Sequence, residues 1–238
     1  FVIAIEEDFA QAHCSKGEAF MELENYPEAI RAFYNYLLYQ QDAITYLNIG
    51  ECYCELEKYE MARKYYKKCV QLDAKFYDAW EGIGYCLEME ENFFEAIHYY
   101  KKAVNLNDQA VKSWQGLARC EYFVGNNLSS FEALSKAIAI ESEDVDFWAF
   151  WGQLLYEEGK KENALALLKE ALDYNPKVPE LYYQYAAYAF KSGKSKEGML
   201  YLENALILNY DKHAVLFNFY PELETLPIVK QVINTYKL

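Results

Sequence analysis

The stretch YYKKCVQL, Tyr65 to Leu72, returns as YYKKAVNL, Tyr99 to Leu106, 34 residues later. Around the first copy the apolar positions are Ala62, Tyr65, Tyr66, Cys69 and Val70. They recur at three and four, the period of a helix face, and not at two, the period of a strand. A phrase returning at a fixed interval of this size marks a small supersecondary unit that buries its apolar face by stacking on its neighbours.

Stepping the chain by that interval exposes further columns. Small residues stand at Gly17, Gly50, Gly84, Ala118, Gly152 and Ala186, each four residues after His13, Tyr46, Trp80, Trp114, Trp148 and Tyr182. Rings and small residues thus share one face of a first helix. A second helix carries Ala29, Ala62, Ala96, Ser130, Ala164 and Gly198, then the bulky column Phe33, Tyr66, Tyr100, Leu134, Leu168 and Leu202, then Tyr36, Cys69, Ala103, Ala137, Ala171 and Ala205. Small residues let two backbones approach and the large ones fill the space between them. Gly125, Gly159 and Gly193 fall between paired helices, where a left-handed residue ends the first helix at little cost. Pro27 falls at the start of a second helix, and Pro176 and Pro179 in a connection between units.

The columns W-x-x-L-G-x-x-Y and A-x-x-x-F-x-x-A with a late Pro resemble the tetratricopeptide repeat. The nearest unit reads WEGIGYCL from Trp80, followed by Ala96, Tyr100 and Ala103. The resemblance implies an all-α chain, a right-handed α-solenoid of antiparallel helix pairs. Six units are expected, over residues 10–42, 43–76, 77–110, 111–144, 145–178 and 179–212. Glu121, Ser130 and Gly198 depart from the pattern, and a local weakening of the packing is expected there. Residues 1–9 read as the second helix of a preceding, missing unit, because VIAIEEDFAQAH from Val2 tracks AIAIESEDVDFW from Ala137. Residues 213–238 read as a degenerate repeat and cap, interrupted at Pro221 and closed by a stripe of Ile228, Val229, Val232, Ile233 and Tyr236.

Composition narrows the function classes. The 238 residues are 53% hydrophobic and include 24 tyrosines, which is core material and not the composition of a disordered chain. A formal charge of −14 repels phosphate backbones and anionic membranes, so nucleic acid is not an expected partner and a basic segment is. No apolar run reaches the roughly 18 residues of a membrane span. No membrane insertion is expected, and six unpaired thiols point to a reducing, cytoplasmic setting.

No catalytic constellation emerges. The histidines, His13, His98 and His213, lie at unrelated places in the repeat, and the cysteines lack paired zinc spacing. Cys52, Cys86 and Cys120 share one column and read as small buried side chains; Cys52 and Cys54, two apart on a helix, point away from each other. No phosphate loop or hydrolase motif is present, so no enzyme, cofactor or metal is expected.

The resemblance implies that the first helices line a concave face that holds a partner's peptide or helix. Carried over column by column, its wall takes in Glu18, Glu22, Glu51, Glu55, Asp78, Glu81, Tyr85 and Glu88 in the first three units. Arg119, Tyr122, Phe123, Gln153, Tyr156, Tyr183 and Phe190 follow in the last three. The expectation is a groove acidic in its N-terminal half and aromatic in its C-terminal half, holding a basic and apolar segment of another protein. Tyr122, Tyr156, Tyr183 and Phe190 are its anchors. The competing reading is that the carboxylates only keep an acidic chain soluble. A chaperone-carboxylate clamp is disfavoured, because Cys14 with Glu18 and Leu47 with Glu51 occupy the positions where that subtype uses Lys and Asn. Two further roles stay open: a regulatory or targeting arm of a larger protein whose other domain precedes residue 1, and self-association through Phe1, Val2, Ile3, Ile5 and Phe9.

Overall fold

A computed structural model describes residues 2–140 and 144–237, with side chains from Phe9 onward. Among the described residues there are helices and no strand. The chain divides after Ile140 into two compact units.

The first unit holds α1 (Val2–Glu22), α2 (Tyr26–Leu37), α3 (Ala43–Glu55), α4 (Tyr59–Leu72), α5 (Tyr77–Met89), α6 (Phe93–Leu106), α7 (Val111–Phe123) and α8 (Asn127–Ile140). Consecutive helices pair as hairpins, and the first helix α3 also meets α5, as α5 meets α7. Where a repeat boundary is expected between residues 9 and 10, the backbone stays helical, so α1 continues without a turn. Phe1 lies outside the described residues, as do the side chains of Val2, Ile3 and Ile5; Phe9 is exposed, its ring edge-on to His13.

One turn geometry joins the two helices of each hairpin. In the turn after α3, the amide of Lys58 donates to the carbonyl of Tyr53 and that of Glu57 to Cys54, a Schellman closure that satisfies the last carbonyls of the helix. Glu24, Glu57, Glu91, Gly125, Gly159 and Gly193 all hold the left-handed residue of this turn, at φ 55° to 84°. Glycine takes that conformation freely, whereas each glutamate bears a steric cost of about 1–2 kcal/mol. The column is therefore defined by backbone conformation, with glycine in only half of its positions.

Packing within each hairpin follows the small and bulky columns. A methyl group added at Gly17 would meet the ring of Phe33 at 2.5 Å, one at Gly50 the ring of Tyr66 at 2.5 Å, and one at Gly152 the side chain of Leu168 at 2.7 Å. Tyr66 and Tyr100 also reach forward to the next hairpin: a methyl at Gly82 would stand 2.6 Å from Tyr66, and one at Gly116 would stand 2.2 Å from Tyr100. Each ring is thus sandwiched between glycines of two successive first helices. Burying such a side chain contributes about 1.5–3 kcal/mol, so the same contact that closes a hairpin also stacks it.

The two lysines of the opening phrase are not simply in water. Lys68 lies 5.0 Å from the rings of both Tyr46 and Tyr65, and Lys102 lies 4.3 Å from Trp80. Lys101 pairs with the buried Glu121 at 2.6 Å, which leaves Lys67 as the solvated member. The departures in the fourth repeat are likewise accommodated. Glu121 takes a second hydrogen bond from Asn126 at 2.7 Å, and the Ser130 hydroxyl donates to the carbonyl of Ala118 at 2.8 Å. Buried polar groups with partners cost far less than orphaned ones, so these positions are not loose.

The second unit holds α9 (Val145–Glu157), α10 (Lys161–Tyr174), α11 (Pro179–Lys191), α12 (Ser195–Leu208), a short 3-10 turn over Tyr210–His213, α13 (Ala214–Phe219), a second over Pro221–Thr225, and α14 (Pro227–Thr235). Pro179 is the first residue of α11 and not part of the connection before it. Gly198 is small because the ring of Phe190 occupies the space where its methyl would stand, 2.9 Å away, so this departure tightens the packing. At the C-terminus Val229 and Ile233 are buried, but Ile228 is exposed and Tyr236 lies past the end of α14, so the closing stripe is narrower than expected.

Candidate functional site

The first helices α3, α5 and α7 line a groove of about 650 Å³ in the first unit. Its walls carry the carboxylates of Glu51, Glu55, Glu57, Asp78 and Glu81, the rings of Tyr59 and Tyr85, and the cations Lys112 and Arg119. Tyr66 and Tyr100, seated on their glycines, reach it from below. The spacing of a hairpin repeat brings the carboxylates together: Glu51, Glu55, Asp78 and Glu81 sit at groove-facing positions of consecutive first helices.

This concentration of negative charge is incompletely offset. Burial, then the neighbouring carboxylates of Asp78 and Glu55, raises the Glu51 carboxyl above its ordinary range, against the pull of Lys112. Burial also raises Glu81, while a hydrogen bond from the Ser113 hydroxyl works the other way. Arg119 is committed elsewhere. Its guanidinium donates to the buried Glu88 through Nε at 2.6 Å and Nη2 at 3.2 Å, and Glu88 accepts a third hydrogen bond from the Tyr100 hydroxyl at 2.6 Å. The site can therefore accept a cation, and its tyrosines can cover an aliphatic stem.

Of the residues expected along the wall, the structure brings Glu51, Glu55, Asp78, Glu81, Tyr85 and Arg119 together. Glu88 belongs beneath the wall, because its carboxylate is consumed by Arg119 and Tyr100. Glu18 and Glu22 are exposed on α1 and do not line this groove. Phe123 is exposed and stacks on Phe93 at 4.6 Å, with Tyr122 tilted against it at 5.7 Å.

In the second unit the expected anchors serve the interior. Tyr183 has no exposed surface, and its hydroxyl donates to the carbonyl of Asn209 at 2.8 Å. Tyr156 is buried, stacked on Tyr188 at 4.1 Å and hydrogen-bonded through its hydroxyl to Ser192. Tyr188 in turn meets Phe219 of α13 edge-on at 5.6 Å. The short α13 packs on α11, and Tyr188 closes against it. Phe190 is half-buried over Gly198, and Gln153 is exposed, donating to Glu157 at 2.8 Å.

The sequence reading missed Tyr66, Tyr100, Gly82, Glu57 and Tyr59 as parts of this site. A signal was present in W-x-G, which occurs at Trp80 and again at Trp114 and places Gly82 and Gly116 where no other repeat has glycine. Among the described residues no group of three or more His, Cys, Asp or Glu side chains is arranged to hold a metal ion, and no helix is long and apolar enough to cross a membrane.

Tetratricopeptide-repeat models match residues 43–76 in the first unit and 151–213 in the second. Each unit thus carries tetratricopeptide repeats. No curated protein matches it. Solved structures of the same fold include the C-terminal part of a tetratricopeptide-repeat protein from Cytophaga hutchinsonii, 18% identical, covering 93% of this chain and 98% of that one at a TM-score of 0.69. MamA from Desulfovibrio magneticus RS-1 is 14% identical, covering 70% and 95% at 0.65. YrrB, described as a tetratricopeptide-repeat protein with an unusual peptide-binding site, is 19% identical, covering 74% and 91% at 0.60. The tetratricopeptide array is an α-solenoid of paired helices and serves generally as a protein-interaction scaffold.

Proposed function

We propose that this tetratricopeptide-repeat protein binds a partner through the groove over α3, α5 and α7, and that the partner contributes a basic segment with apolar neighbours. The observation that carries the reading is the convergence of Glu51, Glu55, Glu57, Asp78 and Glu81 on one concave wall beside Tyr59 and Tyr85. Raised carboxyls mean that the wall works against its own ionisation. A lysine or arginine delivered there relieves that repulsion, while its stem and an adjacent apolar residue cover the tyrosines. YrrB shares the fold and is described as binding peptide, which is consistent with a peptide occupant.

The aromatic share of the surface is smaller than the sequence implies. Tyr85, Tyr122, Phe123 and the half-buried Phe190 are its accessible members, whereas Tyr156 and Tyr183 are not. With a formal charge of −14, the chain favours a basic polypeptide over nucleic acid.

Selection of a displayed random-peptide library on the purified protein tests the reading. Enrichment of Lys or Arg next to large apolar residues is expected. Selected peptides that are acidic, or unbiased in charge, would overturn it.

A further inference from the structure

We propose that Cys54 and Cys86 form a redox modification site, a thiol pair on the groove wall that closes reversibly into a disulfide tying α3 to α5. The two sulfurs lie 3.9 Å apart although the residues are 32 positions apart in the chain. No other two cysteines make a sulfur–sulfur contact among the described residues. Cys54 is half-buried and lines the groove, so a small molecule entering the groove reaches it. Cys86 has no exposed surface and stands behind it. Bonding requires the sulfurs to close to about 2.05 Å.

The difference in access assigns the roles, since Cys54 faces the groove and Cys86 is enclosed behind it. A hydrogen bond from Cys86 holds the Cys54 thiol below its ordinary range against the effect of burial. The same bond, with burial, holds the Cys86 thiol above its range. Cys54 is the attacking sulfur and Cys86 the resolving one. The oxidant is a low-molecular-weight disulfide. The Cys54 thiolate attacks one of its sulfurs, the S–S bond breaks, and the first small thiolate leaves with the electron pair and takes up a proton. Cys86 then loses its proton to solvent and attacks the Cys54 sulfur of the mixed disulfide, expelling the second small thiolate. Two protein thiols are oxidised and one disulfide is reduced to two thiols, so the step balances.

The surroundings select the reagent. Glu51 and Glu55 act on the Cys54 sulfur, and Asp78 lines the same groove. Negative charge repels an anionic disulfide and concentrates a cationic one. Cystamine is therefore the preferred probe over glutathione disulfide. The inference rests on the sulfur pair and its access, and does not require the proposed partner segment.

The test treats the whole native chain with cystamine, blocks remaining thiols, and maps disulfides by mass spectrometry. The expected product is a peptide joining Cys54 to Cys86, two fewer reactive thiols per chain, and full reversal by dithiothreitol. Cystamine should react faster than glutathione disulfide by about tenfold or more at low salt, with the gap narrowing as salt rises. C86S should stop at the mixed disulfide on Cys54, and C54S should leave Cys86 unmodified. Mapping of the wild-type chain keeps the test decisive even if a serine variant misfolds. A wild-type chain that halts at the mixed disulfide, a link that appears only in denaturant, or a product joining other cysteines would overturn the proposal.

Discussion

Glu88 on α5 and Arg119 on α7 are joined by two hydrogen bonds across successive hairpins, and the Tyr100 hydroxyl of α6 completes the carboxylate's shell. Three helices from two repeats thus meet at one buried charge. One of the two basic residues of the groove is in this way structural, which leaves Lys112 facing five carboxylates.

Removing one partner of that pair leaves the other charge without its counterpart. Arg119→Met should destabilise the first unit by about 3 kcal/mol, at the lower end of the range for buried pairs because Arg119 keeps some contact with water. The double variant Glu88→Leu with Arg119→Met should recover most of the loss. Urea unfolding of the single and double variants measures both, and equal instability of the two would show that the pair is not coupled.

The glycine sandwich around Tyr100 leaves no room for a methyl. Gly116→Ala should cost about 1–3 kcal/mol through overpacking, since the added carbon would stand 2.2 Å from the ring. Combining it with Tyr100→Leu should return part of that stability. Thermal midpoints of the two variants give the answer, and an unaffected Gly116→Ala would mean that the hairpins slide apart without penalty.

Glu57 carries a left-handed backbone at φ 57° in a position where later repeats have glycine. Glu57→Gly should stabilise the protein by about 0.5–1 kcal/mol, the steric relief less the extra chain entropy of glycine. Glu24→Gly and Glu91→Gly should each do the same. Gly125→Ala should move stability the other way, and chemical denaturation resolves each sign.

The hairpin architecture was legible because it depends on columns of residue size: Gly50 facing Tyr66 states a packing contact directly. The acidic wall was partly legible, since Glu51 and Glu81 fall at groove-facing positions by period alone. Period does not reveal what is already engaged. Glu88 and Arg119 differ from their exposed neighbours only through each other, and Tyr183 is lost to the surface through a bond to Asn209 that no repeat column contains. The Cys54–Cys86 contact was hidden for the same reason, because the two residues occupy different columns of adjacent units.

Glu51 and Glu81 take up protons at higher pH in the folded chain than when unfolded, as burial raises both. The folded state therefore binds more protons in the window between their ordinary value and their raised ones. Their contribution to stability is fully present below the ordinary value, near 4.5, and is lost as pH rises through the raised values. Glu51→Gln should raise the thermal midpoint at neutral pH and flatten its dependence between mildly acidic and neutral conditions. A variant with an unchanged pH profile would show that burial and its acidic neighbours do not raise the Glu51 carboxyl.

The most direct measurement is a calorimetric titration of the strongest library-selected peptide into the wild-type protein and into a Glu55→Lys, Asp78→Lys variant that keeps the wild-type circular dichroism and thermal midpoint. A loss of at least about tenfold in affinity, about 1.4 kcal/mol, is predicted for the reversed wall, with wild-type affinity itself falling as salt is added. Equal affinity for both proteins, indifferent to salt, would contradict the groove as the binding site.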